Sequence, residues 1–243
     1  MKKLIRFILL LLILVGVGFW GYNAVINRQI NINKLFLGGG IVGVDVSSYQ
    51  ENVDFDKLKE QGVEFAYIKA TEGATHVDTS FATKWADADS AGVESGAYHY
   101  FVYNVSGAEQ AENFIRTVGD LNGRLIPALD MELTPAEVQN PPAVDDVVRG
   151  LKSFLAVVEE KYGVKPLIYS QKDYYDKYLA ADFAEYPRWA RNVYYPIYID
   201  LNNDWTVWQY NDHGEMDGYS GERYIDMNVL NGTVGLEGIR YKK

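Results

Sequence analysis

The 243-residue chain contains no cysteine. That excludes a disulfide framework, a lipid-modified cysteine anchor, and cysteine-ligated zinc or iron–sulfur sites. Histidine is almost as scarce: His76, His99 and His213 are the three present. They lie far apart, without HExxH or other paired-ligand spacing, so neither a metal site nor metal catalysis is expected, and nothing implies an organic cofactor. The glycines never fall into GxGxxG or GxxxxGK[ST] spacing, and there is no G-x-S-x-G elbow, so phosphate-cradling loops and serine-hydrolase chemistry are unsupported. Positive charge is short as well, with 23 Lys+Arg against 33 Asp+Glu and a net charge of -10. Five of the basic residues, Lys2, Lys3, Arg6, Arg28 and Lys34, precede residue 41 and no acid does, which leaves 18 basic against 33 acidic residues, or -15, for the remainder. A surface that acidic repels phosphate backbones, and nucleic acid is not an expected partner.

What the chain does have begins at its N-terminus. Residues 1–6 are basic, and Phe7 to Trp20 is an unbroken run of Phe, Ile, Leu, Val, Gly and Trp. Carried through to Ile26 and interrupted only by Asn23, the stretch 7–26 has the roughly 20 residues that cross a hydrocarbon core as a helix. No small-x-small cleavage site follows, so an uncleaved membrane anchor is favoured over a cleaved secretory signal. The positive-inside bias keeps Lys2, Lys3 and Arg6 cytoplasmic and puts the rest outside the cytoplasm, with Trp20 and Tyr22 as interfacial aromatics. Residues 27–40, ending in Gly38-Gly39-Gly40, read as a linker and flexible joint, and a folded domain is expected over 41–243.

That domain alternates short apolar runs with helical periodicity. Strands are expected at Ile41–Val46, Phe65–Ala70, Glu94–Tyr103, Leu125–Asp130 and Leu167–Tyr169. Helices are expected at Asp54–Gln61, Ser80–Ala91, Ala108–Val118 and Val144–Tyr162. Shorter strands follow near Arg188–Arg191, Val207–Tyr210 and Tyr224–Asp226. About 200 residues of such alternation without a linker predict one α/β domain with a parallel sheet, an irregular (β/α) TIM-like barrel first and a doubly wound open sheet second.

Polar residues gather at the C-terminal ends of these strands: Asp45, Tyr98, Tyr100, Asp130, Glu132, Tyr169, Gln209 and Asp226. In a barrel that end carries the active site. Asp130-Met131-Glu132 is the sharpest local pattern. Residues two apart on a strand share a face about 6.6–7 Å apart, so both carboxyls would look into one cleft. Two partly desolvated like charges push one pKa up and leave the other ionised, which makes an acid and a stabilising carboxylate for cleaving a glycosidic bond. D-x-E alone is common on solvated loops, but here an apolar strand delivers it. Asp45 and Asp226 are flanked by apolar residues, where an acid is costly unless bonded or functional. His99, between Tyr98 and Tyr100, reads as a bonded core histidine rather than a base. The 19 Tyr and 5 Trp cluster in the second half, notably Trp208-Gln209-Tyr210, as for a cleft that takes sugar rings.

Assembled in order, several motifs resemble the family 25 glycoside hydrolases, the N-acetylmuramidase lysozymes. They are Gly43-Val44-Asp45-Val46-Ser47 with Tyr49-Gln50, Ala66-Tyr67-Ile68-Lys69-Ala70-Thr71-Glu72-Gly73, Gly96-Ala97-Tyr98-His99-Tyr100-Phe101, Asp130-Met131-Glu132, Leu167-Ile168-Tyr169-Ser170, Trp189-Ala190-Arg191, Trp205 to Tyr210 and Ile225-Asp226-Met227-Asn228. The resemblance implies a flattened (β/α) barrel that hydrolyses the β-1,4 N-acetylmuramic acid–N-acetylglucosamine bond of peptidoglycan. It implies Glu132 as general acid and Asp130 as the carboxylate that steadies the substrate's own acetamido group in a substrate-assisted retaining route. Asp45 and Asp226 become further cleft acids, and Tyr98, Tyr169, Trp208 and Gln209 substrate-binding residues. The chain departs where the family often reads Trp-Ile-Ala-Arg-Tyr, having Asn192 after Arg191. Chitinase-like barrels also end a strand in D-x-E but usually carry a third acid two residues earlier, where this chain has Ala128. Expected partners are peptidoglycan glycan strands and, through the N-terminal helix, the cell membrane, with a cell-envelope assembly a further candidate. The alternative reading is a non-catalytic peptidoglycan-binding or scaffold domain.

Overall fold

The computed structural model describes residues 2–27, 30–201 and 204–243. Eleven strands are described: β1 Ile41–Val46, β2 Gln50–Glu51, β3 Phe65–Glu72, β4 His76–Val77, β5 Glu94–Tyr100, β6 Ala128–Asp130, β7 Leu167–Gln171, β8 Arg188–Arg191, β9 Val207–Gly214, β10 Ser220–Gly221 and β11 Ile225–Leu230. Eight of them, β1, β3, β5, β6, β7, β8, β9 and β11, are hydrogen-bonded in sequence order, and β11 closes back on β1, which also pairs with β3. The sheet is therefore a closed barrel, as expected, and not the open alternative. Every pairing from β1 through β9 is parallel, while β11 runs antiparallel to both neighbours.

Helix α1, Lys2–Ile26, precedes the first strand, and between strands lie α2 Phe55–Glu60, α3 Phe81–Ala91, α4 Gly107–Val118, α5 Pro135–Gln139 and α6 Val144–Tyr162, with only short helices after them. In α6 the buried Val147, Leu151, Phe154, Leu155, Val158 and Tyr162 recur at helical spacing, and Gly163 ends it at φ 70° in the left-handed region open to glycine. Alternation along the strands makes two apolar layers. Ile68, Ala97, Leu129, Ile168 and Trp208 face the helices, whereas Phe65, Tyr67, Tyr98, Tyr169, Trp189 and Val207 fill the barrel. Two of those rings fit only because a neighbouring strand offers glycine: a Cβ on Gly43 would stand 2.4 Å from the Phe65 ring, and one on Gly96 2.3 Å from the Tyr67 ring.

Three expectations need correction. The ladder of β6 covers only Ala128–Asp130, because Pro127 has no N–H, while Leu125 N bonds to Ser95 O and Ile126 N to Ile239 O. β5 ends at Tyr100, where Phe101 N turns to Asp130 O. Within the expected linker, residues 30–40 are tied to the barrel. A 3₁₀ turn, Ile32–Phe36, is held to the barrel by Asn33 Nδ2, which donates to Asn192 O (3.2 Å) and Tyr210 O (3.0 Å). Gly40 packs so closely on β11 that a Cβ there would stand 2.6 Å from Val229. Arg28 lies outside the described residues. α1 contains Arg6–Ile26, long and apolar enough to cross a membrane with a mean hydropathy of 2.1.

Candidate active site

A cleft of about 400 Å³ opens where the parallel strands end, and Asp45, Tyr98, Asp130, Glu132, Tyr169, Gln209 and Asp226 all line it. Asp226 reaches it by a different route from the one its sequence context suggests. It lies near the start of β11, not the end of a strand, and because β11 is inverted its start sits beside the C-terminal end of β1, with Asp226 directly opposite Asp45. Glu132 stands just beyond the β6 ladder, in the loop that follows Asp130.

Trp208 is the exception among the expected residues. It is fully buried on the helix-facing side of β9, and its indole N–H donates to Asn192 O at 2.8 Å. Trp208 and Gln209 are adjacent on one strand, so they point to opposite faces and cannot both enter the cleft. The aromatic floor is instead Trp189, packed against Tyr67 (centroids 4.9 Å), Tyr169 (5.2 Å) and Tyr98 (6.4 Å).

Trp189 also begins a hydrogen-bonded relay that fixes Asp45. Its indole N–H can only donate, and it meets Asn228 Oδ1 at 2.8 Å. The Asn228 amide nitrogen is thereby turned to Asp45 Oδ2, at 2.7 Å. From the other side Tyr169 O–H donates to Gln209 Oε1 at 3.0 Å, which turns Gln209 Nε2 to the same Asp45 oxygen at 3.0 Å. Burial raises the Asp45 pKa against these bonds, and the Arg191 charge and a hydrogen bond with Asp226 also oppose the rise. Asp226 is also driven well above the ordinary carboxyl range, by burial and then by the Asp45 and Asp212 charges, against Arg191.

Asp130 and Glu132 line the same cleft. Burial, then Glu132, Asp45 and Asp226, push Asp130 well above the ordinary carboxyl range, with Lys69 acting against them. Its Oδ1 is buried in the cleft wall without a hydrogen-bond partner among the described residues. Glu132 is also raised, first by burial and then by Asp45, against Arg191 and Lys69. Four carboxyls thus face two cations that are already engaged, Lys69 with Glu72 at 2.7 Å and Arg191 with Asp212 at 2.7 Å. Burial and mutual repulsion raise all four carboxyls together.

The comparisons with known proteins decide the family. The model of glycosyl hydrolases family 25 matches residues 44–219. The chain belongs to that family. This family 25 glycoside hydrolase superposes on a family 25 glycosyl hydrolase from Bacillus anthracis with a TM-score of 0.74 at 36% identity, over 81% of this chain and 92% of that one. It is 31% identical over 199 residues to the autolytic lysozyme of Clostridium acetobutylicum, covering 80% of this chain and 59% of that protein. It is 35% identical over 223 residues to the uncharacterized Escherichia coli protein YegX, covering 90% of this chain and 78% of that protein.

Several site residues of this glycoside hydrolase were visible in the sequence only as parts of motifs. Lys69 lies 4.8 Å from the Tyr100 ring centroid and reaches the cleft from β3. Arg191, at the end of β8, lowers the pKa of Asp45, Glu132 and Asp226 through its charge, and Asn228 orients Asp45. Asn192, where the family often has an aromatic, is a loop organiser: its Oδ1 accepts from Tyr194 N and Tyr195 N, both at 3.3 Å. His99 is the core histidine expected of it. Gln110 Nε2 donates to Val102 O, so its Oε1 is left to accept from His99 Nε2 at 3.1 Å, while Thr71 Oγ1 meets Nδ1 at 2.7 Å. Burial lowers the His99 pKa to about 3, which keeps the ring neutral.

Proposed function

We propose that this glycoside hydrolase cleaves the β-1,4 bond between N-acetylmuramic acid and N-acetylglucosamine in peptidoglycan. The observation that carries the reading is the pairing in one cleft of a desolvated Glu132 with Asp130, whose Oδ1 is buried and has no hydrogen-bond partner among the described residues. Glu132, held protonated by burial, gives its proton to the glycosidic oxygen as the C1–O bond breaks. The carbonyl oxygen of the muramoyl 2-acetamido group attacks C1 from the opposite face and forms an oxazolinium ring. Asp130 accepts a hydrogen bond from the acetamido N–H as positive charge develops there. Glu132, now a carboxylate, takes a proton from the water that opens the ring at C1. Two inversions return the β configuration. Asp45, fixed by Asn228 and Gln209, raises the Glu132 pKa through its charge, and Asp226 lies directly across the ladder from Asp45.

With α1 in the bilayer and its basic end inside, the barrel stands outside the cytoplasm, where the wall is its substrate. A non-catalytic glycan-binding role for the same cleft would leave no use for the raised Glu132 pKa. Proton NMR of the first product released from soluble glycan strands tests the route: β-anomeric muramic acid is expected, and the α anomer would sink the acetamido mechanism.

A further inference from the structure

Outside α1, exposed apolar side chains concentrate at the foot of that helix. A lone exposed residue such as Val77 or Val138 is ordinary. Ile30, Leu35 and Phe36, however, project from the segment that leaves α1, with Leu35 82% exposed, and Tyr198 and Ile199 from the short helix Tyr198–Leu201, with Ile199 71% exposed. The two segments adjoin: a Cβ on Gly38 would lie 4.0 Å from the Tyr198 hydroxyl. None of the five lines the catalytic cleft.

The patch cannot be far from the end of the helix. Ile30 N bonds back to Ala24 O at 3.1 Å, and the 3₁₀ turn that begins two residues later is fastened to β9 and to Asn192 through Asn31 and Asn33. A helix that crosses the hydrocarbon core puts its terminal turn, and whatever is fastened within a few residues of it, at the headgroup level. Tyrosine and large aliphatic side chains suit that depth, and Lys34 on the same turn suits anionic headgroups.

We infer that Ile30, Leu35, Phe36, Tyr198 and Ile199 form a lipid-contacting surface that seats the flank of the barrel on the outer face of the bilayer. The inference rests on the anchoring role given to α1 above. The enzyme is then not a ball on a flexible tether. Its flank between β8 and β9 lies on the membrane.

The absence of cysteine makes the test direct. Single-cysteine variants of the full chain, Leu35→Cys, Ile199→Cys, Val138→Cys and Ile13→Cys, are labelled with an environment-sensitive fluorophore. They are reconstituted into phosphatidylethanolamine–phosphatidylglycerol vesicles with or without nitroxide lipid. The labels at 35, 199 and 13 are expected to shift to the blue and lose fluorescence to the nitroxide lipid, while the label at 138 does neither. If 13 is quenched but 35 and 199 behave like 138, the seating surface is refuted and the anchor stands. If 13 is not quenched, the anchoring reading fails and the surface with it. A blue shift at 35 and 199 without quenching would mean that protein, such as a second copy of the chain, covers the patch, and would also overturn the proposal.

Discussion

Replacing Trp189 by Phe tests the relay that fixes Asp45. The substitution keeps an aromatic ring beside Tyr67 and Tyr169 but removes the N–H that reaches Asn228 Oδ1. Asn228 is fully buried, so its carbonyl would be left without a partner, at about 1–3 kcal/mol. The smaller ring adds a void, for a total of about 2–4 kcal/mol. For a domain of this size that is a fall in Tm of roughly 5–15 °C. Activity should fall too, because the Asn228 amide is then free to rotate and present its oxygen to Asp45 Oδ2. Thermal and urea denaturation followed by far-UV circular dichroism would give the stability term. A double-mutant cycle with Asn228→Ala isolates the pair, and a coupling of about 0.5–3 kcal/mol is expected for groups in direct contact. A Trp189→Phe variant that unfolds with the wild type, or a coupling near zero, would refute the relay.

Asp226→Asn should stabilise the fold at neutral pH while lowering activity. Asp226 has a native pKa above its unfolded value, so the fold binds its proton more tightly; its contribution is most favourable below about pH 4 and is lost as pH rises towards the native value. Tm measured against pH should therefore decline less steeply for the variant than for the wild type, and an unchanged slope would count against the assignment. Gly96→Ala drives a methyl into the Tyr67 ring and should cost at least about 1–3 kcal/mol, measured by urea unfolding. Trp208→Phe should lower stability and leave KM for glycan strands unchanged, whereas Tyr169→Phe releases Gln209 and should lower kcat; steady-state kinetics separate the two. Asn33→Ala removes two bonds to the barrel and should cost about 1–3 kcal/mol, with faster amide exchange across Ile32–Phe36.

The barrel was legible because its signals are local and periodic. The apolar run Ile41–Val46, the helical stripe of Val144–Tyr162 and the acids at strand ends can be read without knowing what they touch. Trp208 was misplaced because a cluster of aromatics in sequence says nothing about which face of a strand each occupies; one residue of register separates the helix layer from the cleft. The direction of β11 was likewise invisible, since strand polarity is set by the barrel's closure and not by the residues of the strand. Asn228, Lys69 and Arg191 matter through partners on other strands, as with the 2.7 Å bond from Asn228 to Asp45, and no local pattern marks such pairs. Gly38-Gly39-Gly40 reads as a joint because glycine permits flexibility, but Gly40 is there for its close packing against Val229.

The central claim is that this cleft cuts muramoyl bonds with Glu132 as the acid. Purified peptidoglycan is incubated with the wild-type protein and with Glu132→Gln, and the new reducing ends are identified by mass spectrometry after borohydride reduction. The account predicts reduced muramic acid at the new ends from the wild type and none above background from Glu132→Gln. New ends bearing N-acetylglucosamine, equal release from the variant, or binding without release from the wild type would contradict it.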